Sequence, residues 1–262
     1  MDNATRLQYL EAMGIDVWLP RAVPAQEQDS TFEPSATIES TLETADTIAE
    51  NAPPEPEQPT DNWETLQAEV SPCTKCELCK TRTQTVFGSG NKNAEWMIIG
   101  EGPGQNEDQQ GLPFVGKAGL LLTEMLRAIG LDREEVFIAN IVKCRPPANR
   151  DPKPIEIESC KPYLLRQIAL VKPKIIVVLG RIAAQALLNT DEPIGKLRGK
   201  IHTLNDTPVI VVYHPAYLLR SLLDKRKAWT DLKLAMQTYK AELSGLSAQT
   251  KLMPFGHKKI KG

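Results

Sequence analysis

Apolar residues along the chain fall into two kinds of pattern. Four short runs are apolar at nearly every position: Trp96–Gly100, Val136–Val142, Ile175–Gly180 and Val209–Tyr213. Runs of this length without polar alternation fit strands buried on both faces, as parallel strands covered by helices are. Between them, apolar positions recur at helical spacing. One such segment starts near Gly116 and passes through Leu120, Leu121, Leu122, Met125, Leu126 and Ile129 to Gly130. A second covers Ile155 to Val171 and is opened by Pro154; a third follows Arg181 through Leu188; a last runs from about Lys225 to Leu243. Proline at a helix start and glycine at its stop are the expected punctuation. Strands alternating with helices predict an α/β fold, a three-layer α/β/α sandwich around a central four-stranded parallel sheet. Ligands of such sheets sit beyond the carboxyl ends of the strands. Chemistry is therefore expected in the loops after Gly100, Val142, Gly180 and Tyr213.

The same patterning divides the chain. Residues 4–13 place Leu7, Leu10 and Met13 at helical spacing, with Gly14 as a stop, and Ile15, Val17, Trp18 and Leu19 follow. Residues 1–21 thus read as a short amphipathic segment. Residues 22–60 are rich in Pro, Glu, Thr and Ala and hold no large apolar cluster. They cannot bury enough surface to offset chain entropy and read as a disordered linker. The folded domain is expected over 61–245, and 246–262 as a basic flexible tail.

Charge sharpens this division. The net charge is −2 over 262 residues, but 22–60 contain nine acids and no Lys or Arg. Residues 61–262 hold 21 acids and 29 bases, a net of +8. A basic domain behind an acidic tether suits a polyanionic partner, and charge alone fits an ordinary solvated face equally well. No run is long and apolar enough to span a membrane. The start, MDNATRLQYL, lacks the basic region and apolar stretch of a secretory signal. The expected setting is cytoplasmic, where five cysteines argue for metal or catalysis over disulfides.

Cys73, Cys76 and Cys79 form C-x2-C-x2-C, and Cys144 and Cys160 lie far downstream. Thiolates two apart can reach one metal centre from one turn, and four soft sulfurs suit iron–sulfur or zinc. Spacing alone leaves those two open and leaves one cysteine spare. The first strand ends in Gly100-Glu101-Gly102-Pro103-Gly104, where glycines let backbone approach a ligand. Glu107 and Asp108 follow, then Phe114 in a loop among Gly and Pro. Asn140 lies inside an apolar strand, where an unsatisfied amide costs about 1–3 kcal/mol. It can bond neighbouring backbone, or offer donor and acceptor together to a base edge. The fourth strand runs into His214-Pro215-Ala216-Tyr217-Leu218-Leu219-Arg220. A histidine there can donate to a developing oxyanion, and the leucines and arginine offer wedges and a phosphate-binding cation.

Taken together, GEGPG, LPFVGKAG, NIVKCRPP and HPAYLLR, in order between about Cys73 and Tyr239, resemble family 4 of the uracil-DNA glycosylase superfamily. The resemblance implies the uracil-DNA glycosylase fold and a monofunctional glycosylase. Such an enzyme flips uracil out of DNA and hydrolyses the N-glycosidic bond, initiating base excision repair. It implies a 4Fe–4S cluster on Cys73, Cys76, Cys144 and Cys160, with Cys79 outside the set. It implies that Phe114 stacks on the flipped base, that Asn140 bonds the uracil edge, and that Glu107 lies near C5 and excludes the thymine methyl. His214 would stabilise charge on O2, while Glu101 with the backbone of Gly102 positions the attacking water. Leu218 would fill the gap in the duplex, and Arg220 and Lys117 would bind DNA. Superfamily members that activate water with an Asp carry it at the place of Gly102, so Glu101 is the nearest substitute here. A related group traps DNA covalently through a histidine in an inserted loop; CRPPANRDPKP contains none. The expected partner is uracil-containing DNA, single- or double-stranded, with the protein a monomer. The N-terminal segment fits a docking anchor for a repair or replication protein, and equally a flap folded onto the domain. A lesion-sensing DNA binder would leave the pocket residues idle, and a redox carrier would leave HPAYLLR unexplained.

Overall fold

The computed structural model describes residues 62–245. The segments read above at 1–21, 22–60 and 246–262 lie outside the described residues. Six strands form one sheet: β1 (Ser89–Gly90), β2 (Trp96–Gly100), β3 (Phe137–Asn140), β4 (Ile175–Leu179), β5 (Ile201–Leu204) and β6 (Thr207–Val212), in the order β1-β3-β2-β4-β6-β5. The central β3, β2, β4 and β6 are parallel, as the four apolar runs predict. Antiparallel β1 and β5, which the sequence did not signal, add an edge on each side of this parallel centre. Neither edge carries a buried apolar run. β1 is two residues long, and β5 is exposed or half-buried throughout. The β5–β6 hairpin turns at Asn205 and Asp206, both with positive φ, the conformation that Asn and Asp tolerate in tight turns.

Register explains why the central strands are apolar at every position. Ile98 lies opposite Ile138 and Val177, and Val177 opposite Ile210. That row packs on one face, against α3 (Lys117–Ala128) and α8 (Lys225–Leu243). The next row, Ile99, Ala139, Val178 and Val211, points the other way. It packs beneath α1 (Trp63–Val70), α4 (Pro154–Val171) and α5 (Arg181–Leu188). Alternation between two buried faces is what a three-layer sandwich demands. Three short α-helices, α2 (Gln105–Gln110), α6 (Ile194–Leu197) and α7 (Pro215–Leu218), and four 3-10 turns, Glu77–Lys80, Arg133–Glu135, Pro147–Asn149 and Leu222–Asp224, complete the described elements. The helical stretch expected from Gly116 to Gly130 occupies Lys117–Ala128, with Gly130 at φ +80 just past its end. α1 has no wide apolar stripe; the Asn62 side chain caps it by accepting from Thr65 N at 2.8 Å.

Candidate active site

The loops at the carboxyl ends of β2, β3 and β6 surround a cavity of about 460 Å³. Glu101, Gly102, Glu107, Phe114, Asn140, His214 and Arg220 all line it. Lys117 does not; it is exposed at the first turn of α3.

Phe114 forms the floor. It is 7% exposed and has φ +53, a left-handed conformation that is uncommon for a bulky residue. Two features hold it there. Glu107 Oε1 accepts from the backbone N–H groups of Val115 and Gly116, each at 2.9 Å. Gly119 lies so close beneath that an added Cβ would sit 1.8 Å from the Phe114 carbonyl oxygen. Gly100 is equally constrained: a Cβ would fall 2.4 Å from Asn140 Oδ1 and 2.6 Å from the Phe114 ring. These glycines let the amide and the ring converge on one small space.

Asn140, the last residue of β3, is 2% exposed. Its Oδ1 is buried and has no hydrogen-bond partner among the described residues. A buried acceptor left open is costly in an apo protein and is expected where a ligand supplies the donor.

His214 follows β6. Its Nδ1 accepts from Ala216 N–H at 3.1 Å, which leaves Nε2 to carry the proton of the neutral ring. Burial, reinforced by the positive charge of Arg220, pulls its pKa down to about 4 against the opposing pull of Glu107. The imidazole is thus a neutral donor at physiological pH. Its ring lies 5.7 Å from that of Phe114 at 30°. For Glu101 the shift is upward, to about 7, mainly through burial and further through the negative charge of Asp151, with Arg181 opposing.

Sequence reasoning missed the opposite wall. Asn149, Arg150 and Asp151 also line the cavity. They belong to the loop between β3 and α4, with Ala148 and Asn149 both at positive φ. Arg150 grips the buried Glu156 carboxylate with both nitrogens, at 2.8 and 2.6 Å. Arg181 Nη2 holds Asp151 Oδ2 at 2.9 Å. The signal available was the polar Asn-Arg-Asp between prolines, but only folding returns it to the pocket.

Leu218 corrects an expectation. It is 1% exposed and packs with Leu122, Met125 and Leu232 in the core. The single helical turn Pro215–Leu218 rotates it inward, into the core and away from the surface a wedge would need. The exposed leucines follow it: Leu219 at 41%, Leu222 at 64% and Leu223 at 91%. Tyr217 lines the cavity and donates through Oη to Asp224 Oδ2 at 2.5 Å. This bond anchors the turn that carries Leu222 and Leu223.

A second, small cavity is lined by Cys73, Cys76, Cys144 and Cys160, and Cys79 is not among its residues. Among the described residues no group of three or more Cys, His, Asp or Glu is gathered tightly enough to hold a metal ion. The donor set around the cavity is nonetheless four soft sulfurs, the chemistry of an iron–sulfur group. Arg82 Nη1 donates to Cys144 Sγ at 3.0 Å and to the Cys73 carbonyl at 2.7 Å. Lys143 N donates to Cys160 Sγ at 3.2 Å. Donors aimed at sulfur suit thiolates that carry negative charge.

The profile of the uracil DNA glycosylase superfamily matches residues 87–233. The type-4 uracil-DNA glycosylase of Archaeoglobus fulgidus is 49% identical over 159 residues, which cover 58% of this chain and 80% of that protein. Its counterpart from Saccharolobus solfataricus is 51% identical over 168 residues, 61% of this chain and 78% of that protein. The Thermotoga maritima protein of the same type is 46% identical over 160 residues, 60% and 83% of the two chains.

Proposed function

The chain belongs to the uracil DNA glycosylase superfamily, alongside its type-4 members, and we propose that the cavity between β2, β3 and β6 is where it takes up the flipped base. The enzyme excises uracil from DNA and leaves an abasic site, the entry to base excision repair. The observation that carries the reading of the pocket is the open Asn140 Oδ1, placed beside a neutral imidazole donor and above an aromatic floor.

A base cannot be cleaved inside the stack, so the nucleotide leaves the duplex at a cost of a few kcal/mol. Uracil then stacks on Phe114. Its N3–H donates to Asn140 Oδ1, and the Asn140 amide nitrogen donates to O4. Glu107, which holds the Phe114 loop, forms the wall near C5 that excludes a thymine methyl. As the C1′–N1 bond breaks, the electron pair goes to uracil and positive charge appears on the sugar. His214 Nε2–H stabilises the charge reaching O2. Water held by Glu101 and the Gly102 backbone adds to C1′ and gives up a proton, and uracil takes one up. Arg220 and Lys117 contact phosphates. Cys73, Cys76, Cys144 and Cys160 would hold a 4Fe–4S cluster. When bound, it supplies a tie among the segment after α1, the loop after β3, and α4. Hydrolysis itself transfers no electrons. We further assign residues 61–245 as the glycosylase domain, a cytoplasmic setting and monomeric action. Residues 1–21 we assign to docking on a repair or replication protein.

The test is strand cleavage by alkali after incubation of the full chain with a single-uracil oligonucleotide, thymine serving as control. Uracil strands should be cut and thymine strands spared. A Glu101 that acts as base must be ionised, so the rate should climb as pH rises through about 7 and level off above. His214, titrating near 4, adds no limb in that range. Glu101→Gln should slow the reaction by about 10²-fold, the low end for a positioned base, and flatten the climb. A pH profile that keeps its limb in this variant removes Glu101 from the role.

The exposed leucines give a second expectation. Basic residues flank them on both sides, Arg220 before and Lys225, Arg226 and Lys227 after, as suits an apolar wedge between phosphates. Combined Leu222→Ala and Leu223→Ala should lower the ratio of duplex to single-strand excision by about tenfold. That matches the loss of roughly 1.5 kcal/mol of leucine burial. An unaltered ratio would place the wedge elsewhere.

A further inference from the structure

Lys143 takes no part in the chemistry above, yet it is the largest of the fully buried side chains, 1% exposed. Its Nζ donates to the Asn140 carbonyl at 2.9 Å and to Gln167 Oε1 at 2.6 Å. Both acceptors are neutral carbonyl oxygens. Burying an amine on such partners is costly, whereas methionine would fill similar space without burying a charge. If packing were all that mattered here, lysine would be a poor choice.

The end of β3 explains what the lysine does. Ile141 N donates to Gly100 O at 2.9 Å, so the chain keeps company with β2 beyond the strand's last residue. Backbone groups alternate sides, which turns the Asn140 carbonyl away from β2 and toward β1. There the ladder has stopped, because β1 pairs only with Phe137 and Ile138. A buried carbonyl beyond a ladder needs another donor, and Lys143 Nζ is that donor. The far end of the contact is equally fixed. Gln167 is 0% exposed, and its Nε2 donates to the Phe87 carbonyl at 2.8 Å. Gln167 stands seven residues after Cys160 on α4, so both lie on one helical face. That face holds Lys143 twice, through the Cys160 sulfur on its backbone N–H and through Gln167 on its side chain.

We propose that Lys143 is a positioning residue for uracil recognition, a strut between α4 and the backbone of Asn140 that fixes where the Asn140 amide meets the base. The inference rests on the assignment of Asn140 to the uracil edge. It also gives the cysteine corner a physical route to the pocket. Cys144 adjoins the strut, and Cys160 shares its supporting helix face.

The test is a double-mutant cycle read by single-turnover excision on a uracil-containing single strand. Lys143→Met should slow excision by about tenfold in the wild-type background and by less than about twofold when Asn140 is already alanine, since coupled residues are non-additive. A merely structural lysine would give the same factor in both backgrounds. Gln167→Leu should reproduce the effect and Gln167→Glu, which still accepts from Lys143 but no longer donates to the Phe87 carbonyl, should recover part of the rate. Iron content and melting temperature, measured on every variant, identify any that is misfolded. If Lys143→Met does not fold, Gln167→Leu and Gln167→Glu decide in the same cycle. Equal factors in both backgrounds, or no slowing in the wild-type background, overturn the strut. A wild-type chain that leaves uracil strands intact would instead overturn the activity on which the proposal stands.

Discussion

Alanine at His214 or at Asn140 should slow uracil excision by about 10²–10³-fold, the usual cost of losing one donor to a developing anion, while DNA binding falls far less. The asymmetry follows from when each contact strengthens. In the flipped substrate, uracil is neutral and its oxygens are ordinary acceptors. As the glycosidic bond breaks, charge moves onto O2 and O4, and the same hydrogen bonds become charge-assisted. In the role proposed for it, His214 suits this change. The Ala216 N–H fixes its tautomer, and its depressed pKa of about 4 keeps the ring neutral. A neutral ring presents Nε2–H to the anion without a cation that would bind phosphates indiscriminately. The Asn140 amide nitrogen would donate to O4 as charge builds there, while Oδ1, unpaired among the described residues, would accept from N3–H and orient the ring; the backbone carbonyl is held by Lys143. Single-turnover kinetics on a uracil-containing single strand, with binding measured separately, checks both variants. Rates equal to wild type in both would refute the roles given to these residues.

The strands that carry the site were legible because they are buried on both faces. Burial on two sides removes polar alternation, and the apolar runs ending at Gly100 and Gly180 stand out for that reason. The sheet edges left no such mark: Ile201–Leu204 is half exposed, and its partner turn is signalled only by Asn205-Asp206. Helix α1 escaped notice because its buried positions are just Leu66 and Val70. In the site, residues adjoining strand ends could be placed from sequence, since a strand end fixes the side of the sheet. Asn149–Asp151 could not, because their place depends on Arg150 reaching Glu156 and Arg181 reaching Asp151. Leu218 failed for a related reason. A wedge motif gives residue types, but one helical turn decides which leucine faces water. Glu107 shows a role that sequence does not reveal, as its carboxylate also holds the Phe114 loop through two backbone N–H groups.

If Cys73, Cys76, Cys144 and Cys160 hold the proposed cluster, removing Cys144 or Cys160 should abolish iron binding and cost a large part of the stability. As free thiols these side chains would be awkward tenants. Burial pushes Cys144 up to about 11 and raises Cys76 and Cys160 as well, with Arg82 pulling Cys144 the other way. Bound iron reverses that logic, because a coordinating thiol is held deprotonated by the metal. The four sulfurs then tie three places that are far apart in sequence: the turn after α1, the loop after β3, and the first half of α4. Such a tie stabilises the fold largely by what it forbids in the unfolded chain, and metal binding becomes folding free energy. A loss of about 3–5 kcal/mol would lower the melting temperature by about 10 °C in a domain of this size. Wild-type protein should carry about four irons per chain, as a 4Fe–4S cluster requires, and Cys144→Ala or Cys160→Ala should carry almost none. Cys79→Ser is the control. Cys79 lies one turn beyond Cys76 but does not line the cavity, so its iron and its melting temperature should match the wild type. One tightly bound zinc in place of iron would exclude the cluster. Loss of iron in Cys79→Ser would mean that the ligand set has been drawn one cysteine wrong.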